Sequence, residues 1–498
     1  MPDGPVPRSR VTRWALAKLI LGRSFYFMVA LLTLEALLTA ATTYLIIKAG
    51  RDVANDDFLT GDLLWILGVQ STAYIVGMVS WIYAERAGFR GFGRYMQWFA
   101  RGNRHQTRLL HEKGTREVVE PFLTGETFHI YFQLVYELEA DLKLALHLVF
   151  NTAVLGSEID TSFPVAYGAA FTALILLQIV ARRPLAHAYL ENQRMTNRMT
   201  AQGYTAWDNV FAGNRYNLRL WLAGFKVRLR DALVAQIRAI MWREGLSSMS
   251  GILGLAIIFA AIVMVAVQNA GDTEVLVVLA ATLPRQMEMT KDMYSLAAGW
   301  NDMVAIWARI GGVVDNMLPA SDPNYDARMK FDRIVLREGD RQVSVASLED
   351  ALKLVFASQT GRINVRGGNG SGKSTLLAAL KAEIKNKAYY WPTTDRLAFK
   401  FAEGVDPEGV DVDEVDPELL AELGEEAKPP PKKKIGFSSG ERQLKSLQEI
   451  TRYTDAAVYL FDEWDANLDA ANRAAADALM QQIAQRARVI EISHRDRA

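Results

Sequence analysis

From Ser24 to Ile47 the chain is almost continuously apolar, with Glu35 the only formal charge. About 20 such residues, rising 1.5 Å each as a helix, cross a bilayer core, so this run predicts a membrane-spanning helix. The basic flank before it, Arg8, Arg10, Arg13, Lys18 and Arg23, resembles the charged start of a signal peptide. The run is too long for one and no small-residue cleavage site follows, so the segment is read as mature structure. Five further spans are expected at 63–84, 142–156, 163–181, 247–267 and 275–299, the third and sixth interrupted by polar residues.

Two long polar stretches separate these spans, Glu85 to Asp141 and Arg182 to Glu244, and both are rich in arginine. The short loops at 49–62, 157–162 and 268–274 carry only Arg51 as a basic residue. The bias of basic residues towards the cytoplasmic side places both termini and both long stretches in the cytoplasm, with the short loops outside. Each stretch is long enough to run as paired helices well beyond the bilayer. The 56 basic and 56 acidic side chains cancel, so nothing in the overall charge points to a nucleic-acid partner. The chain contains no cysteine, which excludes disulfides and thiolate metal sites.

The composition changes after Arg309. Residues 1–310 are assigned to the transmembrane domain, 311–329 to a linker and 330–498 to a nucleotide-binding domain of alternating strands and helices. Within the latter, 403–434 begins acidic and ends KPPPKKK, the pattern of an exposed, flexible insertion.

At Gly367 the sequence reads GGNGSGKST, after the short strand-like Ile363-Asn364-Val365 and before the helix-like Leu376 to Leu380. This is G-x-x-x-x-G-K-S in strand–loop–helix context. Gly367, Gly368, Asn369, Gly370, Ser371 and Gly372 present backbone N–H groups to phosphate, Lys373 reaches the β- and γ-phosphates, and Ser374 and Thr375 open the helix, with the Ser374 hydroxyl on Mg²⁺. Downstream, Val458 to Phe461 reads as a buried strand ending in Asp462-Glu463. Asp462 there joins the magnesium shell and Glu463 orients and deprotonates the attacking water.

Between these motifs lies Phe437-Ser438-Ser439-Gly440-Glu441, which resembles the LSGGQ signature of ATP-binding cassette proteins. Ala466-Asn467-Leu468-Asp469 is similar to that family's D-loop, and His494 in Ile492-Ser493-His494 to its switch histidine. With six spans ahead of one motor, the order resembles a half-size ATP-binding cassette exporter, and the resemblance implies that short helices at the tips of the polar stretches, near Pro121 to Phe128 and Tyr204 to Asn214, dock onto the motor. The resemblance implies an all-α six-helix transmembrane domain of the type IV exporter kind, fused to an α/β P-loop NTPase domain with a helical signature subdomain. It further implies a homodimer in a bacterial inner membrane, in which MgATP is held between the glycine turn of one copy and Ser438, Ser439, Gly440, Glu441 and Asp469 of the other. Glu463, His494 and Lys373 then carry catalysis, with ATP and Mg²⁺ as cofactors.

Three features depart from the family pattern. Phe437 and Ser439 stand where Leu and Gly are usual, Thr393 or Thr394 stands in place of the Q-loop glutamine, and no aromatic residue before Gly361 is placed to stack on adenine. The phrase Tyr459 to Trp464 and the ending Ile492 to Asp496 are similar to exporters of cyclic peptides and peptide siderophores, implying a modified or amphiphilic peptide as cargo. Polar residues within the spans, Glu35, His147, Asn151, Arg285, Gln286, Glu288, Lys291 and Asp292, fit either helix-internal ion pairs or a polar cavity. An ATP-gated regulator or an importer on the same scaffold is the alternative reading.

Overall fold

The computed structural model describes residues 11–57, 60–393, 397–399, 401, 438–466 and 468–493. The chain divides into two compact units that interleave in sequence. One gathers Met1–Leu16, Phe92–Phe128 and Gly311–Ala498; the other gathers Ala17–Gly91 and His129–Ile310.

After a short α1 (Arg13–Ala17), the helices most relevant to the second unit are α2 (Arg23–Ala54), α3 (Thr60–Asn103), α5 (Glu126–Glu158), α6 (Ser162–Tyr204), α7 (Ala206–Phe211), α8 (Arg215–Gln268) and α9 (Thr273–Met317). The short α4 (Lys113–Thr124) belongs to the first unit. At 1.5 Å per residue, the 54 residues of α8 make a rod about 80 Å long, far more than a bilayer core requires. Its partner α6 runs alongside, and Trp221 Nε1 of α8 donates to Gln202 O and Thr205 Oγ1 near the tip, each at 3.1 Å. Ile47, Leu155, Phe163, Leu174, Ile258, Val265 and Leu279 form a buried apolar cluster from five helices.

The other unit is built on a six-stranded sheet with order β2-β1-β3-β6-β5-β4. The strands are β1 (Val335–Glu338), β2 (Arg341–Ser344), β3 (Gly361–Arg366), β4 (Ala388–Trp391), β5 (Val458–Asp462) and β6 (Arg488–Ile492). From β3 to β4 across the order the strands run parallel; β1 is antiparallel to both β2 and β3, and a tight turn through Gly339 (φ +57°) returns the chain from β1 into β2. The period-2 alternation of β5 sorts its side chains between two cores. Val458 and Leu460 pack with α10 (Leu348–Phe356) and α11 (Lys373–Ile384) on one face. Tyr459 and Phe461 pack with α12 (Ser439–Tyr453) and α13 (Ala470–Arg486) on the other.

This architecture corrects the expected fold class. In place of a six-helix transmembrane domain fused to a P-loop NTPase domain with a helical subdomain, the chain has a long helical N-terminal region and a small mixed sheet near its C-terminus. Among the described residues four helical segments are long and apolar enough to cross a membrane: Arg23–Ala54, Thr60–Asn103, Ser162–Phe211 and Arg215–Gln268. The expected spans 142–156 and 275–299 fall in α5 and α9, which are not among the four; Lys143, His147 and Asn151 lower the hydropathy of the one, and Arg285, Glu288, Lys291 and Asp292 interrupt the other. Nor does the helix expected to lead a separate signature subdomain stand apart, since Leu447 and Ile450 of α12 are buried against Tyr459, Phe461 and Met480 in the core of the sheet. The expected insertion at 403–434 lies outside the described residues.

The segment expected as a linker contributes to the sheet unit's core, where Tyr325 and Met329 are buried beside Ile334 and Leu376. The sequence expectation also placed 1–310 in one domain, whereas Phe92–Phe128 cluster with the sheet.

Candidate functional site

The parallel strands end along one edge, and the chemistry-bearing residues sit just beyond it, where ligands of open α/β sheets bind. β3 leads into the glycine turn 367–372, β5 into Asp462 and Glu463, and β6 into Ser493. Ile363 and Val365 anchor β3 in the core, so the turn after it starts from a fixed support.

Two glycines in this turn are demanded by space. A Cβ on Gly367 would collide with Arg333 O and the Ser371 hydroxyl. Gly372 has φ +92°, and a Cβ there would run into Arg328 O. The backbone segment that crowds them, 328–333, straddles the expected boundary between linker and nucleotide-binding domain, and is tied to the turn by Lys330 N donating to Ser371 O at 3.0 Å. Gly372 is also the N-cap of α11, so the helix's uncapped N–H groups and its positive dipole end face the turn. Lys373 folds back over the loop, its Nζ donating to Gly367 O at 2.8 Å and Gly368 O at 3.3 Å.

The glycine turn and the acidic strand end are joined directly: the Ser374 hydroxyl donates to Asp462 Oδ1 at 3.0 Å. Asp462 is 3% exposed, and its Oδ2 is a buried oxygen with no hydrogen-bond partner. Burial, reinforced by the neighbouring Glu463 charge, pushes its carboxyl up to about 6, while the Ser374 hydroxyl acts in the opposite direction. A hydroxyl and an underused carboxylate, both hard oxygen donors, suit Mg²⁺, so the residues expected as its ligands fit the ion.

Glu463 follows in the left-handed region at φ +51°, unusual for a non-glycine residue and costing about 1–3 kcal/mol. The conformation is held by its N–H donating to Ile492 O at 3.0 Å. Beyond it, buried Trp464 donates from Nε1 to Glu491 Oε2 at 2.8 Å, and its carbonyl accepts Gln443 Nε2 of α12 at 2.6 Å. Gln443 thereby ties the signature helix to the acidic strand end, a link that no motif marked in the sequence.

At the start of α12, Ser438 and Glu441 form a reciprocal capping box: Glu441 N donates to Ser438 Oγ at 3.2 Å and Ser438 N to Glu441 Oε2 at 2.8 Å. Ser438 and Ser439 are exposed and Gly440 is buried. Asp469 is the N-cap of α13, accepting Asn472 N at 2.8 Å. The structure thus brings Lys373, Ser374, Asp462 and Glu463 to one edge, and gives Ser438, Glu441 and Asp469 helix-capping contacts. His494, Phe437, Thr394 and Asn467 lie outside the described residues.

At the altered Q-loop position, Thr393 Oγ1 donates to Asp462 O at 3.3 Å. No substitute for the missing adenine-stacking ring comes from Tyr325: it is buried under α11, between the Arg108 and Arg328 guanidinium groups.

The sheet unit is also gripped by a 3-10 turn, Thr107–His111, of the first polar excursion. Thr107 Oγ1 donates to Ala378 O at 2.8 Å, Arg108 pairs with Glu383 at 3.2 Å, and His111 Nε2 lies 2.9 Å from the Tyr390 hydroxyl. Docking was expected near Pro121 to Phe128, within and after α4. The contacts to α11 and β4 come instead from the turn before α4, whose five residues carry no periodic pattern to announce it.

No protein-family model matches this chain, and no curated protein matches it.

Proposed function

We propose that this chain is an ATPase of a bacterial inner membrane that couples MgATP binding and hydrolysis to outward movement of a substrate. The observation that carries the reading is the Ser374–Asp462 hydrogen bond, which joins a lysine-bearing glycine turn to a buried carboxylate at the strand edge. Four helices long and apolar enough to cross a membrane support the location. A homodimer is the working unit, and a modified or amphiphilic peptide is the cargo class.

In this reading the N–H groups of 367–372 and the α11 terminus bind the triphosphate, and Lys373 exchanges its loop carbonyls for phosphate oxygens. Ser374 and Asp462 would hold Mg²⁺, which when bound would neutralise charge developing on the phosphates. Glu463 orients the attacking water and takes its proton, and its enforced backbone conformation keeps the carboxylate where the strand edge opens. Ser438 to Glu441 contribute the positive end of α12 to the nucleotide of a second copy.

Two variants of the full chain in lipid nanodiscs test this. Lys373→Ala is expected to weaken ATP binding by roughly 10²-fold, read by titration with a fluorescent ATP analogue. Glu463→Gln is expected to retain binding and slow phosphate release by roughly 10²–10⁴-fold. Unchanged binding in the first, or unchanged turnover in the second, overturns the assignment. ATP-dependent accumulation of a peptide cargo in inside-out vesicles tests the transport step.

A further inference from the structure

Glu463 and Trp464 form a bend where the chain leaves β5, and hydrogen bonds from two other elements hold it. The neighbouring strand β6 supplies acceptors: Glu463 N donates to Ile492 O at 3.0 Å, and Trp464 Nε1 to Glu491 Oε2 at 2.8 Å. The helix α12 supplies a donor, Gln443 Nε2, which lies 2.6 Å from Trp464 O. A carbonyl can only accept, so the NH₂ end of the Gln443 amide must face it. Its Oε1 is then buried without a hydrogen-bond partner among the described residues. Leaving half of a buried amide unpaired is costly, and packing alone would favour an apolar side chain at this place.

The bend is strained. Glu463 has φ +51°, and a residue with a side chain keeps such a backbone only where its surroundings leave it no alternative. The β6 bonds fix the Glu463 N–H and the indole, but neither engages the Trp464 carbonyl. Gln443 does, and without it the peptide after Trp464 is free to turn, which gives the strain at Glu463 a way to relax. The helix that supplies this bond is itself well anchored. Ser438 and Glu441 cap its start, and Leu447 and Ile450 are buried in one cluster with Phe461 and Trp464. Gln443 stands between these two anchors, so its amide is presented from a fixed base.

We propose that Gln443 is a positioning residue for Glu463: by holding the Trp464 carbonyl it keeps the preceding carboxylate at the strand edge, where the attacking water is met. This rests on the hydrolytic role proposed above for Glu463, and names what keeps that carboxylate in place. Gln443 touches neither nucleotide nor water in this scheme and acts only through the backbone of the bend. A misplacement of about 1 Å in a group that orients a reactant lowers a rate by up to roughly 10²-fold. Turnover therefore depends on Gln443, and nucleotide affinity, which the glycine turn sets, does not.

The test is the kinetics of the full chain in lipid nanodiscs, with MgATP for turnover and a fluorescent ATP analogue for binding. Gln443→Leu removes the donor, and Gln443→Glu keeps the shape but turns an acceptor towards the carbonyl. Both are expected to lower kcat by roughly 10- to 10²-fold, while affinity for the analogue stays within about twofold of wild type. Retained affinity also shows that the variants are folded. The deciding measurement is the double variant Gln443→Leu with Glu463→Gln. Once the Glu463 carboxylate is gone there is nothing left to position, so the double variant is expected to be no slower than Glu463→Gln alone. A kcat within about twofold of wild type in both single variants, a loss of affinity that matches the loss of turnover, or losses that multiply in the double variant overturn the proposal. Absence of hydrolysis by the wild type overturns the role of Glu463 itself, and that of Gln443 with it.

Discussion

Both units bury a carboxylate against a cation, and they differ in how much of the cation they bury. In the sheet unit Arg362 is held inside by Glu491, at 3.1 and 2.7 Å, and by Asp477 at 2.8 Å. The guanidinium and Glu491 are nearly inaccessible, and the surplus carboxylate, Asp477, has 44% of its side chain in solvent. Glu491 also receives the Trp464 indole N–H, so its oxygens are fully engaged. In the helical unit Glu35 is inside and its partner Lys143, at 2.6 Å, leans out. Where the surplus charge lies against water, the cluster is a fixed strut behind the strand edge. In the helical unit the paired carboxylate, Glu35, depends on a cation that reaches in from the surface.

Three measurements press on this contrast. The largest effect is expected from Arg362→Met, which leaves Glu491 charged and buried with only an indole for company. A loss of about 3–5 kcal/mol in denaturant unfolding of the sheet unit is expected, and a near-neutral result breaks the strut reading. Asp477→Asn removes the carboxylate that water already solvates and is expected to change stability by less than about 1 kcal/mol in the same assay. A large loss would mean that the surplus charge is held, not merely tolerated.

The smallest effect is local and concerns pH. Burial lowers the affinity of His111 for its proton below the ordinary histidine value of 6.5. The docked form therefore binds fewer protons than the freed turn, and docking is fully favourable above that value and weakens as pH falls below it. The hydrogen-exchange protection factor at residues 107–111, taken relative to the intrinsic rate at each pH, is expected to fall on acidification, and His111→Gln is expected to flatten the dependence. A protection factor that does not change with pH would show that this dock, like the Arg362 cluster, is insensitive to protons.

What the sequence revealed divides along physical lines. The glycine turn was legible because only glycine satisfies the close approach of Arg333 O and Arg328 O, so the fold left a mark in residue identity. The α2, α3, α6 and α8 segments were legible because hydropathy is a sum over a window and tolerates isolated polar residues. α5 and α9, also expected as spans, are not among the four, and charged residues recur along both, Glu139 and Lys143 on one and Arg285, Glu288 and Asp292 on the other. The link from Gln443 to Trp464 and the Thr107–His111 dock left no trace, since each depends on segments brought together only by the tertiary fold.

The length of α8 carries one more consequence. A continuous helix about 80 Å long behaves as a stiff beam, and rotating it by only about 5° about one end carries the other end sideways by roughly 7 Å. Its lashing to α6 through Trp221 makes the two rods turn as a pair. Angular adjustments too small to disturb side-chain interlocking in the apolar stretch are thereby magnified, by leverage alone, into displacements larger than a full helical turn at the polar extremity.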